Sequence, residues 1–210
     1  MDALEATPVI PLIQAEDTGT AIKTAEALKA GGLTTLEVVW RTDAAMACME
    51  AIIAEVTGVT VGAGTVLTPE QAETAIARGA QFIVCPGLTS GIVEFCLSKN
   101  VPVYPGIATP SEAQLAWNLG LRTVKFFPAK LAGGVPMLKA LSSVYRDMRF
   151  MPTGGISASN LQDYLALSSV VACGGSWLTP SAEIAAGNFE AITKLASEAI
   201  ALARETKANI

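Results

Sequence analysis

The chain has 210 residues, 51% of them hydrophobic and 16% charged, with a formal net charge of −5; its pI is about 4.8 and its mean hydropathy +0.44. That balance excludes disorder, which needs few apolar residues and many charges, and no apolar run reaches the ~18 residues of a membrane-spanning helix. Acidic charge without a Lys/Arg cluster argues against nucleic acid or an anionic membrane as partner.

The opening Met1-Asp2-Ala3-Leu4-Glu5 is acidic and lacks the basic and apolar regions of a signal peptide, so a cytoplasmic protein is expected. From there a short β-branched or aromatic run, a turn and an alanine-rich amphipathic stretch recur. A strand is predicted over 9–13 and a helix over 18–30, stopped by Gly31-Gly32. The same pair of elements follows at 35–40 and 44–56, at 60–66 and 69–78, at 82–86 and 90–99, and at 101–105 and 110–119. It continues at 123–127 and 135–144, at 149–153 and 158–165, and closes with a strand over 170–174 and a long helix over 188–206. Thr68-Pro69, Thr109-Pro110 and Thr179-Pro180 each put a capping hydroxyl before a proline at the first helical position. The last of these opens a short extra helix over 179–183.

The strand runs are apolar throughout rather than alternating, as parallel strands covered by helices are. Eight such strands alternating with helices predict a single α/β domain over 1–210, a closed (β/α)8 TIM barrel. An open doubly wound sheet is the alternative, because periodicity does not distinguish closure from an open sheet.

The sequence contains no histidine, which excludes Ser-His-Asp and Cys-His catalysis and weighs against a zinc or iron site. Cys48, Cys85, Cys96 and Cys173 form no C-x-x-C pair, so buried free thiols are expected. Proton transfer therefore falls to carboxylates, lysines, tyrosines, hydroxyls or water.

Lys125 lies inside the apolar run Thr123-Val124-Lys125-Phe126-Phe127-Pro128. A lysine there faces a cavity or a carboxylate, and desolvation disfavours its ammonium form; the neutral amine is the form that attacks a carbonyl. Snorkelling to solvent is the structural alternative. Glu37 poses the same problem in Leu36-Glu37-Val38-Val39-Trp40, and in a protein without histidine it suits a proton shuttle. Arg41 at the strand end is a fixed cationic fork for a carboxylate ligand, or a salt-bridge partner for Glu37. Glycine-rich strand ends occur at Gly62-Ala63-Gly64-Thr65, Pro152-Thr153-Gly154-Gly155 and Cys173-Gly174-Gly175-Ser176. The last two fall after the seventh and eighth predicted strands, where barrels commonly bind phosphate.

Seven segments in chain order resemble the 2-keto-3-deoxy-6-phosphogluconate (KDPG) aldolase family, whose pattern is shared with 4-hydroxy-2-oxoglutarate (KHG) aldolase. Among them are Val61-Gly62-Ala63-Gly64-Thr65-Val66-Leu67, Val124-Lys125-Phe126-Phe127-Pro128-Ala129 and Met151-Pro152-Thr153-Gly154-Gly155-Ile156. The resemblance covers nearly the whole chain. It implies a class I aldolase without metal or other cofactor, on a (β/α)8 barrel, assembled as a homotrimer. By position it implies Lys125 as the imine-forming amine, Glu37 as acid and base, and Arg41 with Thr65 on the pyruvyl carboxylate. Phe127 would wall the imine pocket, and Gly154, Gly155, Gly174, Gly175 and Ser176 would take the distal phosphate. The implied reaction yields pyruvate and glyceraldehyde 3-phosphate. A 4-hydroxy-2-oxoglutarate aldolase releasing glyoxylate, or a non-catalytic keto-acid or phosphate binder, are the alternatives.

Two positions depart from the family pattern. Trp40 precedes Arg41, and Lys130 stands after Phe127-Pro128-Ala129 where relatives carry an acidic residue. Both bear on specificity rather than on the imine chemistry.

Overall fold

The computed structural model describes residues 7–208, so the acidic opening at 1–5 lies outside the described residues. Along the chain run β1 (Val9–Ile13), α1 (Thr18–Ala30), β2 (Thr35–Val39), α2 (Ala45–Glu55), β3 (Thr60–Gly64), α3 (Pro69–Ala77), β4 (Ile83–Val84) and α4 (Ser90–Ser98). Then come β5 (Val103–Tyr104), β6 (Gly106–Ile107), α5 (Pro110–Asn118), β7 (Thr123–Phe126), α6 (Gly134–Val144), β8 (Arg149–Pro152), α7 (Leu161–Leu165) and β9 (Cys173–Gly175). A 3-10 turn (Ser176–Leu178), α8 (Ser181–Ala185) and α9 (Phe189–Ala208) complete the order.

The strands form a curled parallel α/β arrangement of two sheets, β5-β4-β3-β2-β1-β9 and β6-β7-β8. Neighbours in space are neighbours in sequence, except that the first strand pairs with the last, Val9 beside Cys173. This is not the order reversal of a doubly wound sheet. Isolated parallel bridges at Phe150–Val170 and Thr153–Gly174 connect the β8 and β9 segments. The strand expected over 101–105 is interrupted by Pro105, which has no N–H for the ladder; β5 and β6 are the two short pieces either side of it.

Both faces of the strands are buried, and alternation divides them between two environments. Val9, Ile13, Leu36, Val38, Val61, Ala63, Val124 and Phe126 join the large core shared with the helices. Ile10, Phe82, Val84, Tyr104, Met151 and Ala172 form a second, small cluster on the opposite face, drawn from both sheets.

Caps set several helix starts. The Asp17 carboxylate accepts from Thr20 N at 2.8 Å, Thr68 Oγ1 accepts from Gln71 N at 3.2 Å, and Thr109 with Glu112 makes a full capping box. The third threonine differs from expectation. Thr179 Oγ1 donates to the Leu12 carbonyl at 2.7 Å, which ties the approach to α8 onto β1 and leaves Pro180 as the cap residue. No helix among the described residues is long and apolar enough to cross a membrane.

Candidate active site

Alternation decides which charged side chains meet. In β2 and β7 the residues flanking Glu37 and Lys125 belong to the helix-facing core, so these two project to the opposite face, from strands in different sheets. Lys125 Nζ lies 3.8 Å from Glu37 Oε1, with side chains 4% and 0% exposed. Lys125 therefore does not snorkel.

Burying two charges costs several kcal/mol per ion unless hydrogen bonds complete the pairing. Here they do not: among the described residues neither carboxylate oxygen of Glu37 has a hydrogen-bond partner. An amine and a carboxylate held this close, with acceptor capacity unused, can receive a reacting group and pass protons to it.

The alternative pairing of Glu37 with Arg41 does not occur. Arg41 is exposed at the end of β2, and its Nε donates to Thr65 Oγ1 at 3.3 Å. Thr65 has φ +59°, a left-handed conformation that a β-branched residue seldom adopts, and it turns the chain sharply out of β3. Immediately before it, Gly64 leaves room for the neighbouring carboxylate: a Cβ there would overlap Glu37 Oε1.

Phe127, half-buried, has its ring centroid 5.1 Å from Lys125 Nζ. Gly154 lies beside it; a Cβ on Gly154 would stand 3.3 Å from Phe127 Cδ2. Gly155 is exposed and Gly174 and Gly175 are buried. Gly174 packs on Thr153, and Gly175 pairs with Pro11 of β1. Ser176, exposed, opens the 3-10 turn. A cavity of about 660 Å³ has Arg41, Ser176, Leu12, Val39, Glu16 and Thr179 in its lining.

Of the predicted site residues, Glu37 and Phe127 flank the Lys125 amine, Arg41 pairs with Thr65, Arg41 and Ser176 share one cavity, and Gly154 lies beside Phe127. Sequence reasoning missed Thr153, 4% exposed beside Gly174, and Glu16 and Thr179 in the cavity lining. Glu16 could have been found by the strand-end logic that found Arg41, since it follows the last residue of β1 by three. Thr153 stood inside a motif read for its glycines.

A buried amine beside a buried carboxylate in parallel strands is an arrangement that imine-forming carbon–carbon lyase chemistry can use. A family model described as KDPG and KHG aldolase matches residues 1–195. A 2-dehydro-3-deoxy-phosphogluconate aldolase of Treponema pallidum is 46% identical over 199 residues, covering 95% of each chain. A KHG/KDPG aldolase of Escherichia coli K12 is 46% identical over 193 residues, covering 92% of this chain and 91% of its own. Among solved structures, the KDPG aldolase of Legionella pneumophila superposes with TM-score 0.92 at 40% identity, over 94% of this chain and 96% of its own. That crystal holds pyruvate captured at low pH as a covalent carbinolamine intermediate. The chain belongs to the KDPG and KHG aldolase family.

Proposed function

We propose that this chain cleaves 2-keto-3-deoxy-6-phosphogluconate to pyruvate and glyceraldehyde 3-phosphate as a class I aldolase, with Lys125 forming the imine. The observation that carries the reading is the buried Lys125–Glu37 pair, 3.8 Å apart, with both carboxylate oxygens free of hydrogen bonds.

In this reading neutral Lys125 attacks C2 of the substrate, and Glu37 protonates the carbinolamine hydroxyl as it leaves as water. The resulting iminium draws in the electron pair of the C3–C4 bond as that bond breaks. Glu37, now a carboxylate, takes the proton of the C4 hydroxyl, whose oxygen becomes the aldehyde of glyceraldehyde 3-phosphate. An enamine remains on Lys125. Glu37 returns a proton to C3, and water hydrolyses the iminium to release pyruvate and the amine.

Arg41 and Thr65 hold the pyruvyl carboxylate: Nε is engaged with Thr65, and the terminal N–H groups of the guanidinium supply a fork that a carboxylate can accept from. Phe127 walls the imine pocket. Gly154, Gly155, Gly174, Gly175 and Ser176 receive the phosphate, whose binding far from the reacting carbon positions the bond to be cleaved. The shorter 4-hydroxy-2-oxoglutarate runs through the same imine steps to pyruvate and glyoxylate, and the Escherichia coli relative, named for both activities, supports this second substrate.

The closed (β/α)8 barrel, as one domain, belongs to the same proposal. It counts β5 and β6 as one strand broken at Pro105, and its support is the bridges between the β8 and β9 segments and the inner cluster drawn from both sheets. A cytoplasmic homotrimer is likewise proposed; Leu131, 86% exposed, and Leu67, 55% exposed, supply apolar surface for subunit contact. Light scattering of the trimer gives three times the 21.7 kDa of the chain.

Borohydride reduction in the presence of pyruvate, followed by peptide mass spectrometry, tests the catalytic reading. A reduced pyruvyl adduct on Lys125 is expected. An adduct on Lys130 moves the nucleophile, and no adduct with pyruvate bound makes the protein a binder rather than an aldolase.

A further inference from the structure

Lys130, outside the imine machinery, is held against the turn assigned to phosphate. Two backbone hydrogen bonds join the segment after β7 to the segment after β8: Ala129 N donates to Thr153 O at 2.8 Å and Lys130 N donates to Gly154 O at 3.0 Å. They fix Lys130 in register with Gly155. A Cβ on Gly155 would stand 2.5 Å from Lys130 Cβ and 3.0 Å from its Cδ, so the lysine stem runs along the bare glycine. Gly155 has φ +77°, and the turn it makes is itself braced. Asn160 Nδ2 donates to Gly155 O at 2.9 Å, and Ser157 N donates to Asn160 Oδ1 at 2.9 Å.

Within this braced turn, among the described residues, no protein acceptor takes the Gly155 N–H. Nor does any carboxylate pair with Lys130: the ion pairs there are Arg78–Glu50, Arg122–Asp147, Lys125–Glu37 and Lys194–Glu198. The side chain is exposed, so its ammonium is available to a ligand. Glu16 and Asp17 line the cavity that Arg41 and Ser176 share, and among the described residues Arg41 is the one cation in that lining, which Lys130 does not join. If Arg41 holds the substrate carboxylate, a second cation beside the Gly155 turn would pair with a phosphate dianion at the far end.

We infer that Lys130 is a specificity-determining residue whose ammonium, carried along Gly155, binds the distal phosphate and selects phosphorylated over unphosphorylated substrates. The inference rests on the aldolase reading above. A charge-assisted contact of this kind differs from backbone amides in being lost with the charge alone while the turn keeps its shape.

The test compares Lys130→Met, which keeps the stem, Lys130→Glu, which reverses the charge, and Lys130→Arg. Each is assayed on 2-keto-3-deoxy-6-phosphogluconate and on the same keto acid without phosphate. The expected result is that kcat/KM for the phosphorylated substrate, relative to the unphosphorylated one, falls about tenfold in Lys130→Met, chiefly through KM. Lys130→Glu loses more, and Lys130→Arg restores the preference. Competitive inhibition by inorganic phosphate weakens in the same order, and raised salt erodes the wild-type preference but not that of Lys130→Met. Equal losses on both substrates make Lys130 structural, and an unchanged ratio makes it a solvated surface lysine; either overturns the inference. Titration of the wild type and Lys130→Met with inorganic phosphate, read by calorimetry, needs no turnover. Borohydride trapping on the same preparations keeps the two readings apart. A pyruvyl adduct with unchanged phosphate affinity overturns the inference alone. A wild type without any adduct overturns the aldolase reading, and the phosphate affinities then decide the role of Lys130 by themselves.

Discussion

Gly64 and Glu37 lie diagonally across adjacent strands, so closely that one methyl group on the glycine would overlap the carboxylate oxygen facing Lys125. The ladder between β2 and β3 fixes this approach, with Glu37 beside Gly62 and Val39 beside Gly64. The absence of a side chain at Gly64 is thus what holds the Glu37 carboxylate at its distance from the amine. Gly64→Ala is expected to fold and to lose kcat on the order of a hundredfold, the scale for displacing a reacting group by about 1 Å. Steady-state kinetics together with a thermal melt check it. A variant that loses stability but keeps kcat would make the glycine a matter of packing alone.

The Lys125–Glu37 pair lends itself to a double-mutant cycle. Lys125→Met leaves a buried carboxylate without its partner and is expected to abolish cleavage and to cost about 3–5 kcal/mol of stability. Adding Glu37→Gln to Lys125→Met is expected to restore part of that loss while activity stays absent. Urea unfolding of the four proteins measures the coupling. Stabilities that simply add would mean that the two groups do not interact in the folded chain.

Arg41 and Thr65 are expected to act on binding more than on chemistry. Arg41→Lys loses the planar fork and is expected to raise the KM for the keto acid about tenfold or more with a smaller change in kcat. Thr65→Ala removes the acceptor for Arg41 Nε and is expected to produce a smaller effect of the same kind. The pyruvate dependence of borohydride trapping gives the affinity directly. A kcat loss at unchanged KM would move Arg41 from substrate binding to the bond-breaking step.

The cysteines predict alkaline behaviour. All four are buried and free. Burial, with Cys96 and Glu37 adding and Lys125 opposing, pushes the Cys85 thiol up to about 12. Burial likewise pushes Cys96 up to about 11 and raises Cys173 and Cys48. Unfolded thiols titrate near their ordinary 9.0, so the folded state keeps its full advantage below that pH. The advantage is then lost as pH rises from about 9 toward the folded values, with a slope of up to ~1.4 kcal/mol per pH unit for each such thiol. Urea midpoints measured from pH 8 to 11 are expected to fall, and to fall less steeply in Cys96→Ala. A thiol reagent at pH 8 is expected to find no cysteine in the folded chain and all four after unfolding.

Lys125 and Glu37 were legible because a charge within an otherwise apolar strand has few places to go, and the inner face of a parallel sheet is one of them. Their partner choice was not legible. The spacing of Glu37 and Arg41 is compatible with a mutual salt bridge, and what turns Arg41 away is the left-handed turn at Thr65, which depends on the path of the chain beyond β3. Helix starts were read well where a threonine precedes proline at Thr68 and Thr109, since the signal is local. At Thr179 the hydroxyl finds the Leu12 carbonyl, from the other end of the chain, and local chemistry is overruled. The predicted strand over 170–174 is shifted toward Cys173–Gly175 for the same reason. An apolar run tells which residues are buried, whereas its neighbours on either side decide where the ladder starts.

The pairing of β1 with β9 has a consequence for how the chain comes to be made. Val9 finds Cys173, and Thr193 Oγ1 of α9 finds the Ala27 carbonyl of α1 at 3.0 Å, so the first βα unit is completed by the last. During synthesis β1 therefore emerges with one edge bare and keeps it bare until nearly everything else has been translated. An apolar strand in that state is a template for another chain. Nascent copies on one polysome are at risk of pairing with each other before they can pair with themselves, which makes slow translation of the final third a hazard and holdase protection of residues 9–13 a benefit.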